Sequence, residues 1–152
     1  MTLSADEYAD TNDSELLRLI KASDWDGVKA MIETETGKAM TTQPDIYGNL
    51  PLHACLGYKA PDDIVLSILR CNPDATRVHG TDYWLPLHIC AMWGSSTRVM
   101  SEIIGYYPQA LDDVGEPGIK GRTPRHFAPR FKHNTELLER STEDWIRIIA
   151  ES

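Results

Sequence analysis

A chain of 152 residues is the length of one domain, and 41% hydrophobic content is low for a single compact core. The net charge of −8 disfavours general nucleic-acid binding, which uses a basic face. Three cysteines, an acidic start that does not read as a signal peptide, and no apolar run near the roughly 20 residues of a membrane span point to a reducing intracellular setting, cytoplasmic or nuclear, without membrane contact.

Residues 1–12 are an acidic, polar lead expected to be disordered. Asp13 or Ser14 can cap a helix carrying Leu16, Leu17 and Ile20. Residues 23–27 read as a turn. Val28, Met31 and Ile32, spaced i, i+3, i+4, then form the apolar stripe of a second helix. Residues 34–42 read as a long polar connection, mobile or functional. Asp45-Ile46-Tyr47-Gly48 turns the chain into the next helix. Pro51 stands at its first position, where a missing N–H costs nothing. Leu50 is then the N-cap and lacks a side-chain acceptor, at a cost of about 1 kcal/mol relative to threonine.

Ala60-Pro61-Asp62-Asp63 opens the following helix, with two carboxylates at the positive end of its dipole. A further unit runs from Asp82 to about Pro108, with Gly94-Ser95-Ser96 as its inter-helix turn. Residues 111–121 contain Gly115, Pro117, Gly118 and Gly121 and read as an elongated finger. The next helix begins at Pro124, and Pro129 limits it to a turn or two. Residues 135–139 are expected to be helical. Ser141 caps a last helix that should close the molecule with Trp145, Ile148 and Ile149 on one side.

One element recurs. Leu50-Pro51-Leu52-His53 returns as Leu85-Pro86-Leu87-His88 at an offset of 35, and as Thr123-Pro124-Arg125-His126 a further 38 residues on. At the first offset Ile64, Val65, Ile68 and Leu69 fall on Val99, Met100, Ile103 and Ile104, and Cys55 falls on Cys90. One register across a whole unit implies stacked helix-turn-helix repeats. The pattern resembles the ankyrin repeat, with its β-turn, Thr-Pro-Leu-His motif and two antiparallel helices. That resemblance implies an all-α, ankyrin-like solenoid of about four units, near residues 13–44, 45–79, 80–117 and 118–152, with β-turn fingers. Gly48, Pro51, His53, Pro86, His88, Gly121, Pro124 and His126 match its structural motif. Tyr83 stands where the family has glycine, at a position that favours positive φ.

No enzyme mechanism can be built from these residues. His53-x-Cys55 and His88-x-Cys90 could offer zinc ligands, but the cysteines occupy the family's small-residue slot. The histidines are better read as bonding turn backbone. Asp62-Asp63 fits helix-dipole complement and Asp112-Asp113 a solvated loop. Residues 115–123 miss the spacing and lysine of a phosphate loop. No cofactor or metal is implied.

Two features suggest contact. Tyr58, Trp93 and Phe131 each lie seven residues after their unit's proline, placed either to shield the inter-helix turn or to meet a partner. Residues 118–133 carry Lys120, Arg122, Arg125, Arg130 and Lys132 and no acid. The expected function is protein binding, as an adaptor, scaffold or assembly or regulatory subunit. The surface would join Tyr47, Tyr83, Trp84 and Arg122 at turn tips to Tyr58, Trp93, Lys120 and Arg125, with Trp84 as exposed anchor. The partner is then a protein with an acidic patch; the alternative is nucleic-acid or acidic-partner binding through residues 118–133.

Overall fold

The computed structural model describes residues 12–115 and 121–152. The acidic lead up to residue 11, Lys120, and Pro117 and Gly118 of the expected finger lie outside these residues. Among the described residues the chain is all-helical, with nine α-helices, short 3-10 segments and no strand. It divides into two compact units between Ala75 and Thr76.

The first unit holds α1 (Glu15–Lys21), α2 (Trp25–Ile32), α3 (Glu35–Met40), α4 (Pro51–Gly57) and α5 (Asp62–Cys71). Ser14 caps α1 by accepting the Leu17 N–H at 3.2 Å. Asp24 caps α2 through Gly27 N–H at 3.0 Å, so Trp25 to Gly27 belong to its first turn rather than to the connection. The largest departure lies at residues 34–42, which form no open connection. Thr34 accepts the Gly37 N–H at 2.9 Å and starts α3. Gly37 is required there: a Cβ would lie 1.8 Å from the Met31 carbonyl oxygen. α1 packs on α4 and α2 on α5, burying Leu16, Leu17, Ile20, Val28 and Ile32 together with Leu52, Leu56, Val65 and Ile68.

The second unit holds α6 (Pro86–Trp93), α7 (Thr97–Tyr106), α8 (Lys132–Glu139) and α9 (Thr142–Ala150), with 3-10 turns at Pro108–Asp112 and Pro124–Phe127. Its stacking matches that of the first unit. α6 meets the Pro124–Phe127 turn, and α7 meets α8. Pro129 does shorten the fourth repeat's first helix to that single turn, while the second helix, α8, begins three residues earlier than expected, at Lys132. Leu111 and Asp112, expected in the finger, belong instead to the Pro108–Asp112 turn, where Leu111 is buried. α9 buries Trp145, whose indole N–H donates to the Leu137 carbonyl at 3.1 Å. Ile148 and Ile149 remain exposed, so α9 closes the unit with one large side chain rather than a stripe.

The repeat is visible in backbone hydrogen bonds as well as in letters. Asp45 N–H donates to the Asn49 carbonyl at 2.9 Å, and 35 residues on Gly80 N–H donates to Trp84 at 2.9 Å. The left-handed position of this turn is Gly48 in one copy, φ 86°, and Tyr83 in the other, φ 59°. The inter-helix turns share a left-handed residue followed by a backbone bond back to the helix. Ser23, Lys59 and Gly94 have φ of 55°, 56° and 75°. The next residues, Asp24, Ala60 and Ser95, donate to Leu19, Cys55 and Cys90 at 3.0, 2.9 and 3.0 Å. This is the 6→1 bond that terminates helices at a left-handed residue. It extends the repeat into the first helix pair, which has no Pro-Leu-His.

Candidate partner-binding surface

The recurring histidines take the place of the missing N-cap acceptors. Leu50 N–H donates to His53 Nδ1 at 3.0 Å, and Leu85 N–H to His88 Nδ1 at 3.1 Å. With Nδ1 accepting, the His88 proton sits on Nε2, which donates to the carbonyls of Arg122 at 2.8 Å and Asp113 at 3.0 Å. His88 therefore ties Asp113 to Arg122. Burial pushes its pKa below the ordinary imidazole value, although both carbonyls and Asp113 pull it back.

His126 does not repeat this role. Its motif position falls in a 3-10 turn without a side-chain cap bond, its ring is exposed, and it accepts from the Arg122 guanidinium at 3.0 Å. Pro51, Pro86 and Pro124 are buried at the first helical positions; Gly121 is half-buried.

The expected contact residues separate into two groups. Tyr47 and Tyr83 are 67% and 56% exposed on their turns, and Arg122 is also exposed. Tyr58, at the end of α4, is 48% exposed, and Trp93, the last residue of α6, is 45% exposed. Trp84 is not the exposed anchor the sequence suggested. Its half-buried ring stacks on His88 with centroids 5.9 Å apart and planes at 16°, and meets Phe127 edge-on at 6.2 Å. Gly115 closes over it, where a Cβ would stand 3.2 Å from Trp84 Cδ1.

Arg125 is likewise committed internally. Its guanidinium donates to Asp112 at 2.8 Å, to the Leu138 and Arg140 carbonyls at 2.6 Å each, and to Thr142 Oγ1 at 3.0 Å. These carbonyls lie at the C-terminal end of α8, where a cation complements the helix dipole. Asp112 is exposed, as expected of a solvated turn, and Asp113 is half-buried, but both acids are engaged by other side chains. Asp112 ties Arg125 to Thr142, and Arg125 holds its carboxyl below the usual range. Asp113 meets His79 Nε2 at 3.0 Å and accepts the Gly115 N–H at 2.8 Å. Residues 34 apart in sequence carry no local signal of such a pairing.

One grouping was not legible in the sequence. The Phe131 ring lies against Gly94, where a Cβ would come within 2.7 Å of it. The His133 Nε2 reaches the Ser95 carbonyl at 3.1 Å, and Asn134 donates to the same oxygen at 2.9 Å. The Arg130 guanidinium stands 5.9 Å from the Phe131 centroid. The segment 130–134 is therefore laid along the turn that follows Trp93. Arg130, Lys132 and His133 are exposed.

Cys55 and Cys90 are fully buried, and burial pushes the Cys90 thiol up to about 12 and the Cys55 thiol higher still. Both are held as neutral thiols, acting as small apolar side chains. Among the described residues no group of three His, Cys, Asp or Glu side chains converges as a metal site would require. None of the described helices is long and apolar enough to cross a membrane. Compared with protein-family models, with curated proteins and with solved structures, the chain matches none.

Proposed function

We propose that this chain is a short, divergent ankyrin-like repeat domain that works as a protein–protein interaction module, an adaptor, scaffold or regulatory subunit of the cytoplasm or nucleus. The observation that carries the reading is the exposure of Tyr58 and Trp93. They occupy equivalent positions, 35 residues apart, one in each compact unit, and each leaves almost half of its surface in water. Each ring keeps a surface that a partner can cover, whereas Phe131, the third of the column, is half-buried against Gly94. Large aromatic side chains are enriched among the residues that dominate interface energies. Tyr47 and Tyr83 add exposed rings on the recurring turns. Helix pairs that stack first on first and second on second within each unit are the packing a repeat solenoid uses, and such arrays bind through extended surfaces rather than deep pockets.

The test is site-specific photocrosslinking. A benzophenone side chain placed at position 58 or 93 of the full chain, incubated in extract of its source cells, should yield a discrete protein adduct. The same probe at exposed Ile146 of α9 should not. No discrete adduct at either aromatic position would overturn the reading.

A further inference from the structure

We infer that the basic rim beside Trp93 is a docking site for an acidic linear segment of the partner protein. The inference rests on the interaction-module reading and assigns the chemistry of its partner. Trp93 offers an exposed indole at the end of α6. The following turn is covered by Phe131 and by His133, whose ring nitrogen meets the Gly94 and Ser95 carbonyls at 3.3 and 3.1 Å. Those contacts carry Arg130 and Lys132 to the border of the same turn.

Charge selects the occupant. Residues 121–133 contain no acidic side chain. Among the described residues, neither Arg130 nor Lys132 forms an ion pair, whereas Arg125, Arg140 and Arg147 are each engaged with a carboxylate. Glu136, the nearest acid along α8, is itself held by Arg140 at 2.8 Å. The rim thus presents two exposed cations, without an ion pair among the described residues, bordering the turn that follows an exposed aromatic ring, on a chain that is acidic as a whole. An Asp/Glu-rich segment with an interleaved apolar residue fits both features. The apolar residue packs on Trp93, and the carboxylates meet Arg130 and Lys132. The acidic remainder of the chain repels such a segment elsewhere, so charge confines it to this rim.

Fluorescence anisotropy on the full chain tests the site with a labelled short peptide of alternating glutamate and leucine. A lysine–leucine peptide of equal length and a single-stranded oligonucleotide serve as comparators. The glutamate peptide should bind at least about tenfold tighter than the lysine peptide and weaken steeply with added salt. Arg130→Glu with Lys132→Glu should reduce binding by at least about tenfold, and Trp93→Ala by a similar factor. Arg130→Gln with Lys132→Gln, which keeps the aliphatic stems, should lose most of the same affinity. Lys29→Glu in the first unit should change nothing. Equal binding of the two peptides, or full binding by both charge variants, overturns the site. Preferential binding of the oligonucleotide through Arg130 and Lys132 overturns it in favour of a nucleic-acid surface. Crosslinking at position 93 that survives the charge reversal leaves the interaction module standing and removes the acidic segment; loss of crosslinking at both 58 and 93 in the unaltered chain removes the module itself.

Discussion

Tyr83 carries a backbone conformation that suits glycine. Its φ of 59° matches the 86° of Gly48 in the equivalent turn, and Lys59 at 56° stands in the same relation to Gly94 at 75°. Left-handed conformations cost non-glycine residues on the order of 1 kcal/mol. Tyr83→Gly and Lys59→Gly should therefore each raise stability by about 1 kcal/mol, read as an increased urea midpoint at unchanged slope. A decrease for Tyr83→Gly would mean that the tyrosine ring makes contacts worth more than the strain. Gly94→Ala should do the opposite and cost more, because its Cβ also meets the Phe131 ring at 2.7 Å. His88 makes a second prediction at this scale. Its folded pKa lies below the ordinary 6.5, chiefly through burial. The unfolded chain then takes up a proton first as pH falls. The stability contribution is complete above 6.5 and declines as pH drops through that value toward the folded pKa. Unfolding free energies at neutral pH and at mildly acidic pH should show this loss, and His88→Gln should flatten it. An unchanged slope in the variant would assign the pH dependence to other groups.

At the scale of elements, Arg125 organises the end of the second unit. One guanidinium joins the Pro108–Asp112 turn, the C-terminal end of α8 and the N-terminal turn of α9. Removing it takes the guanidinium donors from the Leu138 and Arg140 carbonyls and leaves Asp112 with the Thr142 hydroxyl, and charge-assisted bonds of this kind contribute about 1.5–3 kcal/mol. Arg125→Ala should lower stability by about 2–3 kcal/mol and accelerate amide exchange in α9. Lysine should not rescue it, since a point ammonium cannot reach partners spread around a planar fork. Retained protection of α9 in Arg125→Ala would show that Trp145 alone anchors the helix. The expectation of Arg125 as a partner-facing cation failed here because residue type says nothing about which carbonyls are within reach. α3 was missed for a related reason. A polar composition resembles a linker, yet Thr34 as N-cap and Gly37 against Met31 are helix devices that become recognisable once the chain has turned back on α2.

At the scale of the molecule, each compact unit buries its helices by stacking one pair on the next. In the first unit α4 and α5 are covered by α1 and α2. Deleting residues 1–37 strips that cover from Ile64, Val65, Ile68 and Leu69, all buried in the intact chain. In an array each repeat depends on its neighbours. The truncated protein should melt several degrees lower and self-associate, as seen by calorimetry and sedimentation. A monomer with unchanged melting temperature would show that α4 and α5 are stable without the first pair.

The sequence by itself determined the local and periodic features. Helix positions follow from apolar spacing and caps, the 35-residue register from repeated letters, and the helix starts at Pro51 and Pro86 from proline chemistry. His53 and His88 could be placed on turn backbone because the bond to Leu50 or Leu85 closes within three residues. Tertiary structure alone decided which repeated side chains face water. Trp84 and Trp93 look alike as letters, but the first is half-buried, stacked on His88 beneath Gly115, and the second keeps 45% of its surface exposed at the end of α6. It also decided that Arg125 is spent internally while Arg130 and Lys132 stay exposed beside Phe131. Those outcomes depend on partners supplied by other elements, Gly115 over Trp84 and Asp112 and Thr142 beside Arg125, through packing that no local pattern encodes.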